Sequence, residues 1–363
     1  MNNNSLTDFV ESVCGDSHLR VEQDFGGGFV RLRSSEAEKR QAAQDIRSTE
    51  DILIELLRNS RDAGARRIFL ALSRDENTRI ITIIDDGDGI PIDMHQRIFE
   101  PRVTSKLETA HMDKWGMHGR GMALYSVSEN ATSASVRCSE PQCGTSIQVV
   151  TDLSQLGEKR DQSTFPRFEL IDGSFAMRGP KNAVRTSAEF ALDSRNLVDV
   201  FFGTPVEIAA TLYEYAMSIT SPAMRAFTDE LSGIPLTQRL AFSADPGSFA
   251  QIASSLGLDL SARSARRIIN GSIAGVPSLM ERLESESFPE QRTAKQSDRQ
   301  TVRTRSDARG LKIQQNDLQQ FSQGILQAFA DIASSYYLNN QVTPDIRVTP
   351  DAIKITIPVD KLQ

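Results

Sequence analysis

The sequence predicts an α+β fold between residues 47 and 160, followed by mainly helical chain. Three observations carry this expectation. A helix-period run, "EDILIELLRNSRDA", is followed by two strand-like runs, "RRIFLALSR" and "TRIITIID", joined by the turn "DENT". The same order then recurs as "GMALYSVSENA" followed by "SASVRCS" and "TSIQVV". Beyond residue 205 the apolar residues recur at helical spacing. Helix, two strands, a long loop, helix and two strands give an antiparallel sheet with helices on one face.

The elements follow in order. Residues 1–46 read as an N-terminal arm: a short helix near 5–13, a strand pair around "RVEQDFGGGFVRLR", and a polar helix start at "SSEAEKRQAAQDI". Gly26, Gly27 and Gly28 are not followed by Gly-Lys-Ser/Thr, so a hairpin turn or mobile arm is expected rather than a phosphate loop. The first helix of the α+β unit has Ser48 or Thr49 as N-cap and acidic residues in its first turn, and it stops at Gly64. Residues 161–283 read as a second domain, mixed and then helical. Its first part is irregular with short strands at "RFELID" and "AEFALD"; its second contains "VEIAATLYEYAMSI" and "SFAQIASSLGLDLSARSARRIINGSIAG". The last stretch has the outline of a helix-turn-helix with Arg263, Arg266 and Arg267 available to phosphates, but its later apolar positions fit a plain helical hairpin better. A polar linker rich in arginine spans 284–310, and residues 311–363 end the chain with a helix and a strand.

Composition narrows the function classes. A chain of 363 residues with 39% hydrophobic content can bury a large core and is expected to hold more than one domain. No apolar run approaches the roughly 20 residues that span a bilayer, and "MNNNSLTDFV" lacks the basic and apolar parts of a signal peptide, so the expectation is a cytoplasmic protein with no membrane contact. A net charge of −7 argues against coating nucleic acid through overall charge. Three cysteines, Cys14, Cys138 and Cys143, are too few for a disulfide framework and lack zinc spacing, so free thiols are expected.

Three motifs carry the chemistry. Glu55, Asn59 and Asp62 are spaced i, i+4, i+7, one polar stripe on a helix whose other positions are apolar. Asp85-x-Gly87-x-Gly89 ends a buried strand, and a rigidly held carboxylate there can accept a hydrogen bond from an exocyclic amine such as that of adenine. Gly116-x-x-Gly119-x-Gly121 precedes a helix, where backbone N–H groups and the helix dipole can cradle phosphate. No strand immediately precedes that glycine run, which disfavours a dinucleotide fold.

"ELLRNSRDA", "DDGDGI" and "GMHGRGMALYS" together resemble the N-box, G1 box and G2 box of the GHKL ATPases, the superfamily of gyrase, the heat-shock chaperone, histidine kinases and MutL. The resemblance covers roughly residues 48–150, with the motifs in the right order about thirty residues apart. It implies a Bergerat-type α/β sandwich that binds ATP and Mg²⁺. It further implies Glu55 as the base that activates water, Asn59 as the Mg²⁺ ligand, Asp62 as a nucleotide-pocket residue and Asp85 as the adenine reader. Gly87 and Gly89 would let the base approach, and Gly116, Gly119 and Gly121 would hold the phosphates, with His118 and Lys106 near them. Asp86 and Asp88 read as solvated turn carboxylates.

Residues 92–118 are expected to form a mobile lid. Within them "IFEP" resembles the F-box of histidine kinases, whereas "VTSK" resembles the lid of MutL proteins. Glu55 decides for the hydrolytic MutL- or topoisomerase-type members, because phosphotransfer has no need of a water-activating base. "DSHLR" around His18 is similar to a phospho-acceptor box, but the chain between it and Glu55 is too short for the helical hairpin that carries one. The resemblance therefore implies Mg-dependent ATP hydrolysis by a nucleotide-gated switch that closes as a homodimer on a DNA or protein client. The alternatives are a protein kinase of histidine-kinase or anti-sigma type and an ATP-gated binding module without hydrolysis.

Overall fold

The computed structural model describes residues 21–105, 111–113, 116–118, 121–171, 174–227, 230–287, 315–335, 342, 344–349 and 352–357. The short helix expected near 5–13, His18, Lys106, Gly119 and nearly all of the 284–310 linker lie outside the described residues.

The chain opens with an antiparallel hairpin of β1 (Val21–Gly26) and β2 (Phe29–Leu32). Gly26, Gly27 and Gly28 turn it at φ +79°, +60° and +85°, a backbone region in which only glycine is unstrained. Helix α1 (Glu36–Asp45) follows with a capping box between Ser35 and Glu38. Helix α2 (Thr49–Asp62) starts at Ser48, whose N–H donates to Asp51 Oδ2 at 2.9 Å, and it ends before Gly64 at φ +73°. Strands β3 (Arg67–Asp75) and β4 (Thr78–Asp85) form the expected hairpin. Short strands β5 (Val103–Thr104), β6 (His111–Asp113) and β7 (Gly116–His118) lead to α3 (Ala123–Asn130), β8 (Ser133–Ser139) and β9 (Thr145–Asp152).

Past residue 160 come the hairpin of β10 (Arg167–Ile171) with β11 (Ser174–Arg178), helix α4 (Ala183–Asp193) and β12 (Asp199–Gly203). Helices α5 (Pro205–Ile219), α6 (Pro222–Phe227), α7 (Pro246–Ser255), α8 (Ala262–Ile269) and α9 (Leu279–Ser287) follow, with a 3-10 segment at Leu236–Phe242. The described residues end with α10 (Gln315–Ser335) and a hairpin of β13 (Asp345–Thr349) and β14 (Ala352–Thr356). The architecture is α+β, around a five-stranded sheet of order β12-β3-β4-β9-β8.

Three expectations need correction. The sheet is mixed rather than antiparallel, because β12 pairs in parallel with β3, Asp199 opposite Arg67 through Gly203 opposite Ala71. The sheet thus takes a strand from beyond residue 160. "AEFALD" is the end of α4 and not a strand: Asn182 caps it by accepting from Arg185 N–H at 2.9 Å, and Ala183, Val184, Ser187, Ala188, Phe190 and Ala191 bury one helical face.

The third correction concerns the faces of the sheet. Side chains alternate across a strand, so Ile68, Leu70, Ile81, Ile83, Ile147 and Val149 point to one face, where α2 and α4 cover them. Phe69, Ala71 and Ile84 point to the other, where α5, Leu236, Leu240 and Phe249 cover them, and Phe69 stacks on Phe201 at 4.9 Å. Helices therefore cover both faces. On the second face Thr82 donates to Gly257 O at 3.0 Å, and α7 and α8 pack as a helical pair whose Arg263, Arg266 and Arg267 are exposed.

Candidate nucleotide-binding site

The site is built around the end of β4. Asp85 is 4% exposed, and its carboxylate accepts from Ser60 Oγ at 2.7 Å, Gly87 N at 3.0 Å and Thr145 N at 3.2 Å. Burial pushes this carboxyl up to about 6, against the three hydrogen bonds that favour its charged form. A carboxylate this deep is costly unless it is partnered. Gly87 and Thr145 both serve Oδ1, whereas Oδ2 takes the Ser60 hydroxyl, and the residue faces a cleft.

That cleft, about 150 Å³, is lined on one side by Asn59, Ser60, Asp62 and Ala63 of the α2 end, and on its floor by Asp85, Thr145 and Ile147. Its other wall is formed by Gly89, Ile90, Ile98, Val103, Thr104 and Ser105, with Gly121, Ala123 and Leu124 at the start of α3. The α2 stripe arises because Ile52, Leu53 and Leu57 are buried in the core, while Leu56, also buried, reaches the cleft beside the polar positions.

The expected residues divide as follows. Asn59, Asp62, Asp85, Gly89 and Gly121 line the cleft together. Glu55 lies one turn back on α2, 19% exposed in its side chain, and pairs with Arg58 Nη1 at 2.6 Å. Gly87 does not line the cleft: a Cβ there would stand 2.7 Å from Ala63 O, so the missing side chain accommodates the end of α2. At Gly89, φ +73°, a Cβ would stand 1.9 Å from Glu140 O. Gly116 and His118 belong to β7, paired with β6, so the third glycine motif begins in a strand rather than in the turn before α3.

Asp86 is not a solvated carboxylate. It accepts from Arg66 N at 2.7 Å and Arg67 N at 2.8 Å and closes the start of β3. Asp88 is exposed at the cleft's rim.

Ser60 and Thr145 are the contributions that sequence reasoning missed. Ser60 sits unmarked between Asn59 and Asp62. Thr145 carried a signal in the glycine before it. Gly144 has φ +88°, and a Cβ there would stand 2.0 Å from Asp85 O, so only glycine lets β9 approach Asp85 this closely.

The fit of Mg²⁺ and phosphate can be judged from Asn59. Its side-chain nitrogen is buried and has no hydrogen-bond partner among the described residues, although the residue lines the cleft. The amide also carries an oxygen, Oδ1, of the kind that ligates Mg²⁺. Among the described residues no three His, Cys, Asp or Glu side chains group as a metal cage. The start of α3 brings its free backbone N–H groups to the edge of the cleft, where an anion could be held.

A helix-and-sheet sandwich with an acidic, glycine-lined cleft at the strand ends, between α2 and the start of α3, is the arrangement of an ATP-binding domain. Residues 44–155 match the family model described as histidine kinase-, DNA gyrase B- and HSP90-like ATPase, and this segment is a GHKL ATPase domain. The chain is also similar to proteins named DNA mismatch repair protein MutL. It is 41% identical to that of Thermus aquaticus over 86 residues, 23% of this chain and 16% of the relative. It is 25% identical to that of Thermodesulfovibrio yellowstonii over 219 residues, 56% of this chain and 35% of the relative. For Clostridium beijerinckii the figures are 34% over 99 residues, 26% of this chain and 15% of the relative. These matches span about a third of the relatives' length or less. No helix among the described residues is long and apolar enough to cross a membrane.

Proposed function

We propose that the cleft binds ATP with Mg²⁺ and hydrolyses it, and that the occupied cleft switches the conformation of the chain. The observation that carries this reading is Asp85, a buried carboxylate at the floor of a cleft whose other side is formed by Asn59 and Asp62. Asp85 accepts the exocyclic amine of adenine, and the Ser60 and Thr145 donors fix its rotamer. Asn59 provides the protein's oxygen ligand to Mg²⁺, and the bound cation supplies charge neutralisation of the phosphate oxygens. Glu55, once released from Arg58, orients and deprotonates the attacking water. Glu55 stands one helical turn from Asn59 on the same face of α2.

In this reading the domain boundaries are 1–46, 47–160, 161–283, 284–310 and 311–363, with the qualification that β12 joins the sheet of the nucleotide domain. The relatives' name, DNA mismatch repair protein, supports DNA as the client, with the exposed Arg263, Arg266 and Arg267 as backbone contacts and a homodimer as the closed form. A second reading, ATP-gated binding without hydrolysis, is favoured by the Glu55–Arg58 ion pair, which holds the base away from the cleft lining. Measuring phosphate release from ATP with Mg²⁺, with and without DNA, separates the two. Saturable ATP binding with no release above a Glu55→Ala control selects the second reading, and the absence of ATP binding overturns both.

A further inference from the structure

The N-terminal hairpin, which the family match at residues 44–155 leaves out, is built into the wall of the cleft. Phe29, at the start of β2, lines the cleft directly. It also belongs to a buried cluster with Met94, Ile98 and Val103, and two of these, Ile98 and Val103, line the cleft beside it. The hairpin holds this wall through contacts of several kinds. Strand β2 pairs with β5, Val30 opposite Thr104 and Arg31 opposite Val103. Leu32 N donates to Arg102 O at 3.0 Å, and Arg31 pairs with Glu100. The Arg97 guanidinium lies over the Phe25 ring at 4.7 Å. Immediately after the hairpin, Glu38 of α1 pairs with Arg102.

These contacts add a second hold on residues 97–105, whose other side packs on α3 and accepts from Ser128 Oγ at Phe99 O across 3.5 Å. Strand β5 is two residues long and pairs with β2, and so small a strand gains stability only as part of a larger sheet. Arg102 sits at φ +57°, a strained conformation for a residue with a Cβ, and its guanidinium is buried with Nε unpartnered among the described residues. Such a conformation persists only where neighbours over-determine it, and here the Leu32 amide and the Glu38 carboxylate do so. Gly121, in the same wall, has no room for a Cβ because Arg102 and Val103 lie 3.1 Å from where one would stand. The hairpin therefore helps to hold this wall of the cleft in place.

We propose that Phe29 is a nucleotide-contacting residue, an apolar wall for the flat part of a purine nucleotide, and that β1–β2 holds residues 97–105 in the position that binds it. This rests on the reading of the cleft as an ATP site. The chemistry fits: an aromatic ring delivers a large rigid apolar face with little entropy to lose, while Asp85 supplies the directional contact at the floor.

The test uses the full chain. The sequence has a single tryptophan, Trp115, so Trp115→Phe gives a dark background in which Phe29→Trp reports from the cleft. With ATP, the emission of that protein is expected to shift saturably, and Asp85→Asn in the same protein is expected to abolish the shift. Phe29→Ala is expected to raise the dissociation constant for ATP about tenfold, with Phe29→Tyr restoring most of it. Unchanged emission together with wild-type affinity of Phe29→Ala overturns the inference while leaving the cleft reading intact. If the unsubstituted protein binds no ATP, the cleft reading itself falls, and the nucleotide role of Phe29 falls with it. Phe29→Trp guards against a folding artefact, because it keeps the aromatic volume that the Met94 cluster packs against.

Discussion

Ser60 Oγ donates to Asp85 Oδ2 across 2.7 Å, joining the polar face of α2 to the end of β4 over 25 positions of sequence. The bond ties the carboxylate at the cleft floor to the helix that carries Asn59 and Asp62.

Asp85→Asn replaces an acceptor with a group that presents a donor to the adenine amine. The expected loss of ATP affinity is about 1–3 kcal/mol, roughly tenfold to a hundredfold, measured by calorimetric titration. The pH dependence is a sharper check. Because burial raises the folded-state pKa from 3.8 to about 6, the native protein holds a proton there that the unfolded chain has released. The Asp85 contribution to stability is then fully present below pH 3.8 and is lost as pH rises through about 6. Denaturation midpoints between pH 4 and 7 should show this fall in the wild type and not in Asp85→Asn. ATP affinity should run the opposite way and weaken as pH drops through about 6, since the neutral acid is the poorer acceptor.

Glu55→Ala leaves the cleft lining intact and removes the proposed base. Binding should stay within about twofold while turnover falls on the order of 10²–10⁴. Stopped-flow binding beside phosphate-release kinetics reads both, and normal turnover in the variant would remove Glu55 from the mechanism.

Gly144→Ala tests the approach of β9 to Asp85. The added methyl would have to stand 2.0 Å from Asp85 O at a backbone φ of +88°. The cost should be on the order of 3 kcal/mol in chemical denaturation, with ATP binding lost in parallel because Thr145 N withdraws from the carboxylate.

Arg263, Arg266 and Arg267 project from α8 while Ala265, Ile268 and Ile269 anchor it, so all three can be changed with little effect on packing. If they touch a DNA backbone, replacing all three by Ala should weaken binding at low salt. It should also flatten the slope of log K against log salt by about 0.9 for each phosphate no longer neutralised, with little dependence on DNA sequence. An unchanged slope would direct attention to a protein client.

Much of the candidate site's lining was legible because glycine and charge punctuate it. Three carboxylates spaced by glycines at a strand end, and polar residues at i, i+4 and i+7 of an apolar helix, are unusual enough to stand out without a structure. What was not legible depended on pairings far apart in sequence. Thr145 reaches Asp85 over 60 positions, and β12 has no local feature that tells a parallel edge strand from any short apolar run. The burial of the sheet on both faces has a local signature. "IITII" is apolar at every position but one, the pattern of a strand buried on both faces, and the exception, Thr82, satisfies its hydroxyl on the second face. "AEFALD" has no such signature, since a six-residue window cannot separate a period of two from the end of a longer helix.

The two-sided burial of the sheet bears on how this protein can be dissected. A polypeptide ending near residue 160 would retain every motif of the nucleotide site, yet it would present Phe69, Ala71 and Ile84 to water and leave the β3 edge without β12. A bare apolar face beside an open edge is a template for pairing with other chains. The smallest unit that can be isolated in monodisperse form therefore reaches at least through α8, and a recombinant fragment trimmed to the family boundaries would be recovered as aggregate.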